Sequence, residues 1–175
     1  MIKIFYDGYS TNFSHPADRR RFIGFARRFP ELIIFTNYND ADYIYLTLNS
    51  DLSFFISSKK KIIFDYTDHY LVENGFKKYL RSIYFFLIKK YKFLVLSHKN
   101  LIRGIIKKSE VIICASNEQY NDLKKINKNS FVVYDYLEKE VKNNTNISNH
   151  NKFKNKFNVF WEGQSNNIDN FLKSS

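Results

Sequence analysis

Short apolar runs rich in β-branched residues alternate along this chain with longer amphipathic stretches. This alternation constrains the fold more than any other feature of the sequence. Such an order is typical of βα units, in which helices connect parallel strands and cover the sheet. We expect strands at 2–6, 32–36, 43–47, 61–65, 111–114 and 131–134. We expect helices at 16–28, 51–57 and 117–126, and two consecutive helices between Glu73 and Glu110. The sequence therefore predicts an α/β fold, with a Rossmann-like parallel sheet flanked by helices.

Local signals support several of these helices. Pro16 suits the first turn of a helix, where its missing N–H is not needed. Ser116 and Gln119 form a capping-box pattern at the start of another. Apolar residues recur at helical spacing in the first helix and in the first basic helix. These residues are Phe22, Phe25, Ala26 and Phe29 in the former, and Leu80, Ile83, Leu87, Tyr91 and Leu94 in the latter.

The composition of the chain changes after its first three quarters. Residues 139–156 are rich in Asn and Lys and nearly devoid of apolar side chains, as in a linker. A strand-like run at 157–161 follows, then Gly163 and a helix-start pattern. A single βα unit cannot form its own core. We therefore expect a first domain at 1–138, a linker at 139–156 and the start of a truncated second domain at 157–175.

Bulk properties exclude several protein classes. The single cysteine, Cys114, rules out an intrachain disulfide framework and fits a reducing cytoplasm. The N-terminus is polar too soon for a signal peptide. The longest apolar run, Ile83–Ile88, is far shorter than the ~18 residues of a membrane span. These features predict a cytoplasmic protein that does not cross a membrane.

The net charge of +11 comes almost entirely from one segment. Between Glu73 and Glu110 there are ten Lys and Arg residues and no acidic residue, whereas the rest has 18 basic and 17 acidic residues. One interpretation is a patch that binds an anionic membrane surface, with Phe85, Phe86 and Tyr91 on its other side. The patch would comprise Lys77, Lys78, Arg81, Lys89, Lys90 and Lys92. An ordinary solvated face is the alternative. Nucleic-acid binding is least favoured, because no helix-turn-helix, RNA-binding or zinc motif accompanies the charge.

Polar residues follow the predicted strands, where ligands bind in doubly wound folds. His15 and Asp68 are the candidates for general acid–base chemistry, and Gly8, Ser14, Asp65 and Ser116 for substrate binding. Asp65, Asp68 and His69 could also hold a divalent metal, although helix capping by Thr67 or Asp68 explains part of the group equally well. Gly163 precedes a possible helix N-terminus and suits a phosphate. We find no Walker loop, nucleophile elbow, kinase motif or zinc-ligand spacing.

Three stretches together resemble a known family. Residues 61–68 (KIIFDYTD), the basic helical pair and residues 109–116 (SEVIICAS) are similar to the N-terminal domain of GT-B glycosyltransferases. Residues 129–135 resemble the strand that leads out of that domain. Residues 157–163 look like the first strand and glycine loop of the donor-binding domain. The likeness is strongest to glycosyltransferases of bacterial surface-polysaccharide clusters.

The resemblance implies transfer of a sugar from a nucleotide-sugar donor to a glycan or lipid-linked acceptor of the cell envelope, with no further cofactor. It implies that Gly163 approaches the donor diphosphate, that Gly8 and His15 lie near acceptor and donor, and that a basic patch faces the inner surface of the cytoplasmic membrane. The first loop lacks the family's paired glycines, and the donor domain's Arg/Lys pair and Glu motif do not occur by Ser175. Without that domain we expect no independent transferase activity, and a non-catalytic α/β binding or scaffold module is the alternative.

Overall fold

The computed structural model describes residues 1–10, 12–67, 71 and 76–134, with the side chains of Lys77 and Lys78 outside this description. Six strands form one all-parallel sheet in the order β2-β1-β3-β4-β5-β6. The strands are β1 (Ile2–Asp7), β2 (Ile33–Phe35), β3 (Tyr43–Thr47), β4 (Lys61–Tyr66), β5 (Val111–Cys114) and β6 (Ser130–Val132). The predicted Rossmann-like α/β fold is confirmed. The expected linker and second domain lie outside the described residues.

Helices connect these strands. They are α1 (Pro16–Asp18), a π-helical segment (Arg19–Ile23), α2 (Gly24–Arg28), α3 (Leu52–Phe55), α4 (Lys77–Leu87), α5 (His98–Lys108) and α6 (Asn117–Leu123). The π-helical segment shifts the apolar face of the first helical stretch. Ile23 is buried there, and Phe25, which was predicted on one face with Phe22, Ala26 and Phe29, is 46% exposed.

The main core lies on one face of the sheet. Strands β3, β4 and β5 present alternate side chains to it, among them Ile44, Leu46, Ile62 and Phe64. Helices α3, α5 and α6 cover this face with Leu52, Leu101, Ile102, Ile105 and Leu123. Right-handed crossovers explain the arrangement, because successive strands added in one direction place their connecting helices on the same side.

The opposite face is covered by the first helical stretch alone among the described elements. Phe22 and Ile23 pack there on Ile4 and Tyr45. Beyond them an apolar groove with a volume of about 330 Å³ lies over β4, β5 and the end of β6. Its walls include Phe25, Ile63, Val111, Ile113 and Val133.

Helix α4 differs most from the prediction. The apolar spacing predicted a helix that continues through Tyr91 and Leu94, but α4 ends at Leu87. Tyr91 is buried in the following loop, whereas Leu80 and Leu87 on α4 are 50% and 70% exposed. The reason is that α5 already fills the sheet face. Helix α4 packs inward through the buried Ser82 and through Phe85, which contacts Tyr91 and His98.

Candidate functional site

The sheet has its topological switch point between β1 and β3. The chain leaves β1 toward β2 on one side and then places β3 on the other side, so a crevice forms at the carboxyl ends of β1 and β3. The Ser50 hydroxyl joins these ends, since it donates to the Asp7 carbonyl oxygen at 2.5 Å and accepts from the Thr47 N–H at 2.9 Å. This crevice is where the fold itself favours ligand binding.

Asp18 organises the loop after β1. Its buried carboxylate accepts hydrogen bonds from the Tyr6 hydroxyl (2.6 Å), the Tyr9 N–H (2.8 Å) and both the N–H and hydroxyl of Ser10 (2.9 Å each). A Cβ on Gly8 would lie 2.2 Å from Tyr6 Cε1 and 2.4 Å from Asp18 Oδ1. Gly8 is therefore required for loop packing, and its proposed contact with substrate stays a prediction.

His15 and Ser14 lie in the same loop. The Nδ1 atom of His15 accepts from the Ala17 N–H at 3.2 Å and so caps α1, and its ring stacks on Tyr9 with centroids 4.9 Å apart. The Ser14 carbonyl oxygen accepts a hydrogen bond from the Arg19 side chain, and the Ser14 N–H donates to Asn12 Oδ1. Both residues lie at the carboxyl edge of the sheet. Their hydrogen bonds there stabilise the loop, a role that the sequence did not indicate.

The loops after β1, β4 and β5 are connected at this edge. The Tyr9 hydroxyl lies 3.4 Å from Thr67 Oγ1. Ser116 Oγ caps α6 by accepting from the Gln119 N–H at 3.3 Å, as predicted. The Gln119 side chain does not complete a capping box; it accepts from the Ala115 N–H at 2.7 Å and donates to the Thr67 carbonyl at 3.0 Å. The contacts of Tyr9 and Gln119 with Thr67 were not predicted, because they join residues 58 and 52 positions apart in the sequence.

Asp65 is placed differently from the other candidates. Its carboxylate is 3% exposed and accepts from Arg21 Nε at 2.7 and 3.0 Å and from the Tyr45 hydroxyl at 2.9 Å. Strand alternation directs it to the sheet face beneath the first helical stretch. Burial, then the Asp65 charge, raises the pKa of Tyr45 well above its usual value. The hydrogen bonds among Arg21, Asp65 and Tyr45 thus link the first helical stretch to the sheet. The structure gives no direct support for substrate binding by Asp65.

Two titratable groups lie near the switch point: Asp7, which ends β1, and Lys90, which was predicted as part of the basic patch. Burial raises the pKa of the Asp7 carboxyl, and the nearby Lys90 opposes that shift. Burial and the Arg81 charge lower the pKa of Lys90. Lys90 Nζ lies 4.2 Å from the Phe85 ring centroid and 3.5 Å from the Leu48 carbonyl oxygen. The loop after α4 thereby brings a cation to the crevice.

The described residues 76–96 also form a large exposed apolar surface, which we call the α4 surface. Eleven of the twenty exposed large hydrophobic side chains among the described residues fall in it. They are Phe76, Tyr79, Leu80, Ile83, Tyr84, Phe86, Leu87, Ile88, Phe93, Leu94 and Leu96. Single exposed apolar residues are normal, but contiguous patches mark interaction sites.

Basic residues accompany this apolar surface. Lys89 and Lys92 are exposed, Arg81 and Lys90 are half-buried, and the segment has no acidic residue. Lys77 and Lys78 open α4, but their side chains are not described. Hydrogen bonds from the Lys92 and Phe93 N–H groups to Asp51 Oδ2 (2.9 Å) and Ser53 Oγ (3.0 Å) attach the loop to the region after β3. The α4 surface is thus continuous with the switch-point crevice.

Asp68, His69 and Gly163 lie outside the described residues. Among the residues that are described, no cluster of three or more His, Cys, Asp and Glu side chains has the arrangement of a metal site, and no helix is long and apolar enough to span a bilayer. Comparison with protein-family models, curated proteins and solved structures finds no match to this chain.

Proposed function

We propose that this chain is the acceptor-side lobe of a glycosyltransferase, and that it works at an anionic membrane surface on a lipid-linked acceptor. The observation that carries the proposal is the α4 surface, where exposed Leu, Ile, Phe and Tyr side chains lie among cations beside the crevice between β1 and β3. The parallel sheet and the resemblance of residues 61–68 and 109–116 to GT-B enzymes support the catalytic part.

The energetics favour a membrane over a solvated face. Burying a Leu, Ile or Phe side chain stabilises by about 1.5–3 kcal/mol, so inserting three of the eleven contributes about 5 kcal/mol. Each Lys or Arg near an anionic leaflet adds about 1 kcal/mol. Nucleic acid would neutralise the cations but leave the apolar side chains in water. An anionic lipid surface neutralises the cations and also removes the apolar side chains from water.

Vesicle flotation tests the membrane part. We expect the chain to float with vesicles that contain phosphatidylserine, to float less as salt increases, and to float little with pure phosphatidylcholine. A variant with Leu80, Ile83 and Leu87 changed to Ser should lose binding at every salt concentration. Equal recovery with anionic and neutral vesicles would contradict an electrostatic contribution.

Donor turnover tests the catalytic part. The chain would be incubated with a panel of nucleotide sugars and anionic vesicles that carry polyprenyl phosphate, and release of nucleoside diphosphate would be followed. Release that requires both the donor and the vesicles supports a glycosyltransferase. Absence of turnover is expected for residues 1–175 alone. Binding that polyprenyl phosphate does not strengthen, relative to matched anionic vesicles without it, would contradict the acceptor-side role and leave a membrane-binding α/β module as the function.

A further inference from the structure

Helix α4 ends in an unusual way. Lys89 has a left-handed backbone with φ 59°, and this turn lets its N–H bond to the Phe86 carbonyl at 3.0 Å and the Lys90 N–H bond to the Phe85 carbonyl at 2.9 Å. Glycine usually occupies this position after a helix, because an L side chain is disfavoured there. Lysine is uncommon at such a position, and this motivates a search for a role of its side chain.

A cleft lies next to this turn. It has a volume of about 510 Å³, and its lining residues are Asp51, Phe86, Leu87, Lys89, Tyr91 and Lys92. The left-handed turn places Lys89 on one wall, and the bond from the Lys92 N–H to Asp51 fixes the backbone of the other lysine. Phe86 and Leu87 connect the cleft to the exposed apolar surface.

The charge balance of the cleft favours an anion. Asp51 is its acidic member, but its carboxylate already accepts from the Lys92 N–H (2.9 Å), the Phe54 N–H (3.2 Å) and the Ser53 hydroxyl (2.5 Å). Lys89 and Lys92 line the same space, and the Lys92 Nζ lies 5.0 Å from the centroid of the Phe54 ring. Lys90 and Arg81 add positive potential nearby, since the Arg81 charge helps to lower the pKa of Lys90.

We propose that this cleft binds the phosphate group of a membrane lipid, with Lys89 and Lys92 as its ligands and with Phe86 and Leu87 directed to the acyl region. The inference rests on the proposed membrane function and narrows it to a phosphate headgroup. A phosphate monoester, which carries up to two charges, fits two lysines better than the single net charge of phosphatidylserine.

The test compares two kinds of vesicle at equal surface charge, one with phosphatidic acid and one with phosphatidylserine. The natural chain should prefer phosphatidic acid. Lys89→Gly should weaken binding to phosphatidic acid about fivefold, the effect of one lysine, and should reduce the preference. Because glycine suits the left-handed turn, the melting temperature should stay the same or rise. Lys107→Gln, an exposed charge on α5, is the control and should bind like the natural chain.

The outcomes separate the two proposals. If the natural chain binds vesicles but Lys89→Gly weakens both lipids equally, Lys89 is only a surface charge and the cleft inference is overturned. If the natural chain binds neither vesicle, the membrane function fails. Titration with inorganic phosphate distinguishes the source: phosphate binding that Lys89→Gly abolishes and that displaces the chain from vesicles would support the lipid-phosphate site. Lys89-dependent phosphate binding that leaves vesicle binding unchanged would assign the cleft to a soluble phosphate and overturn the lipid inference.

Discussion

Gly8 lies where the chain turns from β1 into the first loop, and its missing side chain makes room for Tyr6 and Asp18. We expect Gly8→Ala to lower the free energy of unfolding by about 1–3 kcal/mol, because the new methyl group displaces a packed ring and a buried carboxylate. Gly104→Ala is the matched control. Its Cβ would meet only the flexible side chain of Ile56, with Cδ1 at 3.0 Å and Cγ1 at 3.9 Å, and alanine favours the helix. Urea denaturation of both variants measures the difference, and equal losses would contradict the packing role of Gly8.

Asp65 and Arg21 form an ion pair whose side chains are 3% and 5% exposed. We expect Asp65→Asn to destabilise the protein by about 3–5 kcal/mol, because it leaves the buried Arg21 charge uncompensated. Glu110→Gln breaks a pair with Lys61 that is exposed and 3.9 Å long, and it should cost less than about 1 kcal/mol. Chemical denaturation measures both. A small loss for Asp65→Asn, with reduced vesicle-dependent turnover, would instead favour the substrate-binding role predicted from the sequence.

Helices α4 and α5 meet at a buried histidine. The His98 ring lies against Phe85 and its Nδ1 atom is 3.1 Å from the Tyr91 hydroxyl. Burial first, then Arg81 and Lys90, lower the pKa of His98 from 6.5 to about 4. The unfolded chain therefore binds a proton at higher pH than the folded chain does, and protonation favours unfolding.

The free energy of unfolding should accordingly fall as the pH decreases from about 7 to about 5, by about 2 kcal/mol from His98 alone. The contribution is complete above pH 6.5 and is lost toward pH 4. His98→Gln should be less stable at pH 7 but should lose less stability on acidification. Urea titrations at the two pH values measure this. An identical pH dependence in both proteins would show that His98 does not titrate in this range.

The helices and strands were predicted correctly where the spacing of apolar residues in the sequence agrees with the burial of those residues in the fold. Strands β3 and β5 occupy the residues expected, because β-branched and aromatic runs between turn residues have few other stable structures. In the first helical stretch, the π-helical segment buries Ile23, which the predicted apolar face did not include. The α4 stripe was mistaken in its extent, because the apolar spacing continues through Tyr91 and Leu94 whereas the helix ends at Leu87.

At the scale of the whole molecule, the parallel sheet could be predicted from the sequence. Gly8, Ser14, His15 and Ser116 lie at the carboxyl edge of the sheet, as their positions after the predicted strands suggested, and ligand binding by them stays a prediction. The contacts that hold the edge together could not be predicted. Arg21 and Asp65 are 44 residues apart, and the Lys90 interaction with Leu48 spans 42, so no local pattern links them.

The α4 surface is the central feature of the account, and a fluorophore can report directly whether it enters lipid. Burial raises the pKa of Cys114 to about 11, so this thiol is unreactive in the folded chain and a single introduced cysteine can be labelled. The Leu87 side chain is 70% exposed, so a Leu87→Cys variant can carry an environment-sensitive dye at this position. Lys124→Cys, at the end of α6, is the control.

Anionic vesicles should shift the emission of the dye at residue 87 to the blue and protect it from aqueous quencher, while the dye at residue 124 stays unchanged. No shift at residue 87 at vesicle concentrations that bind the chain, or equal shifts at both residues, would contradict insertion of the α4 surface.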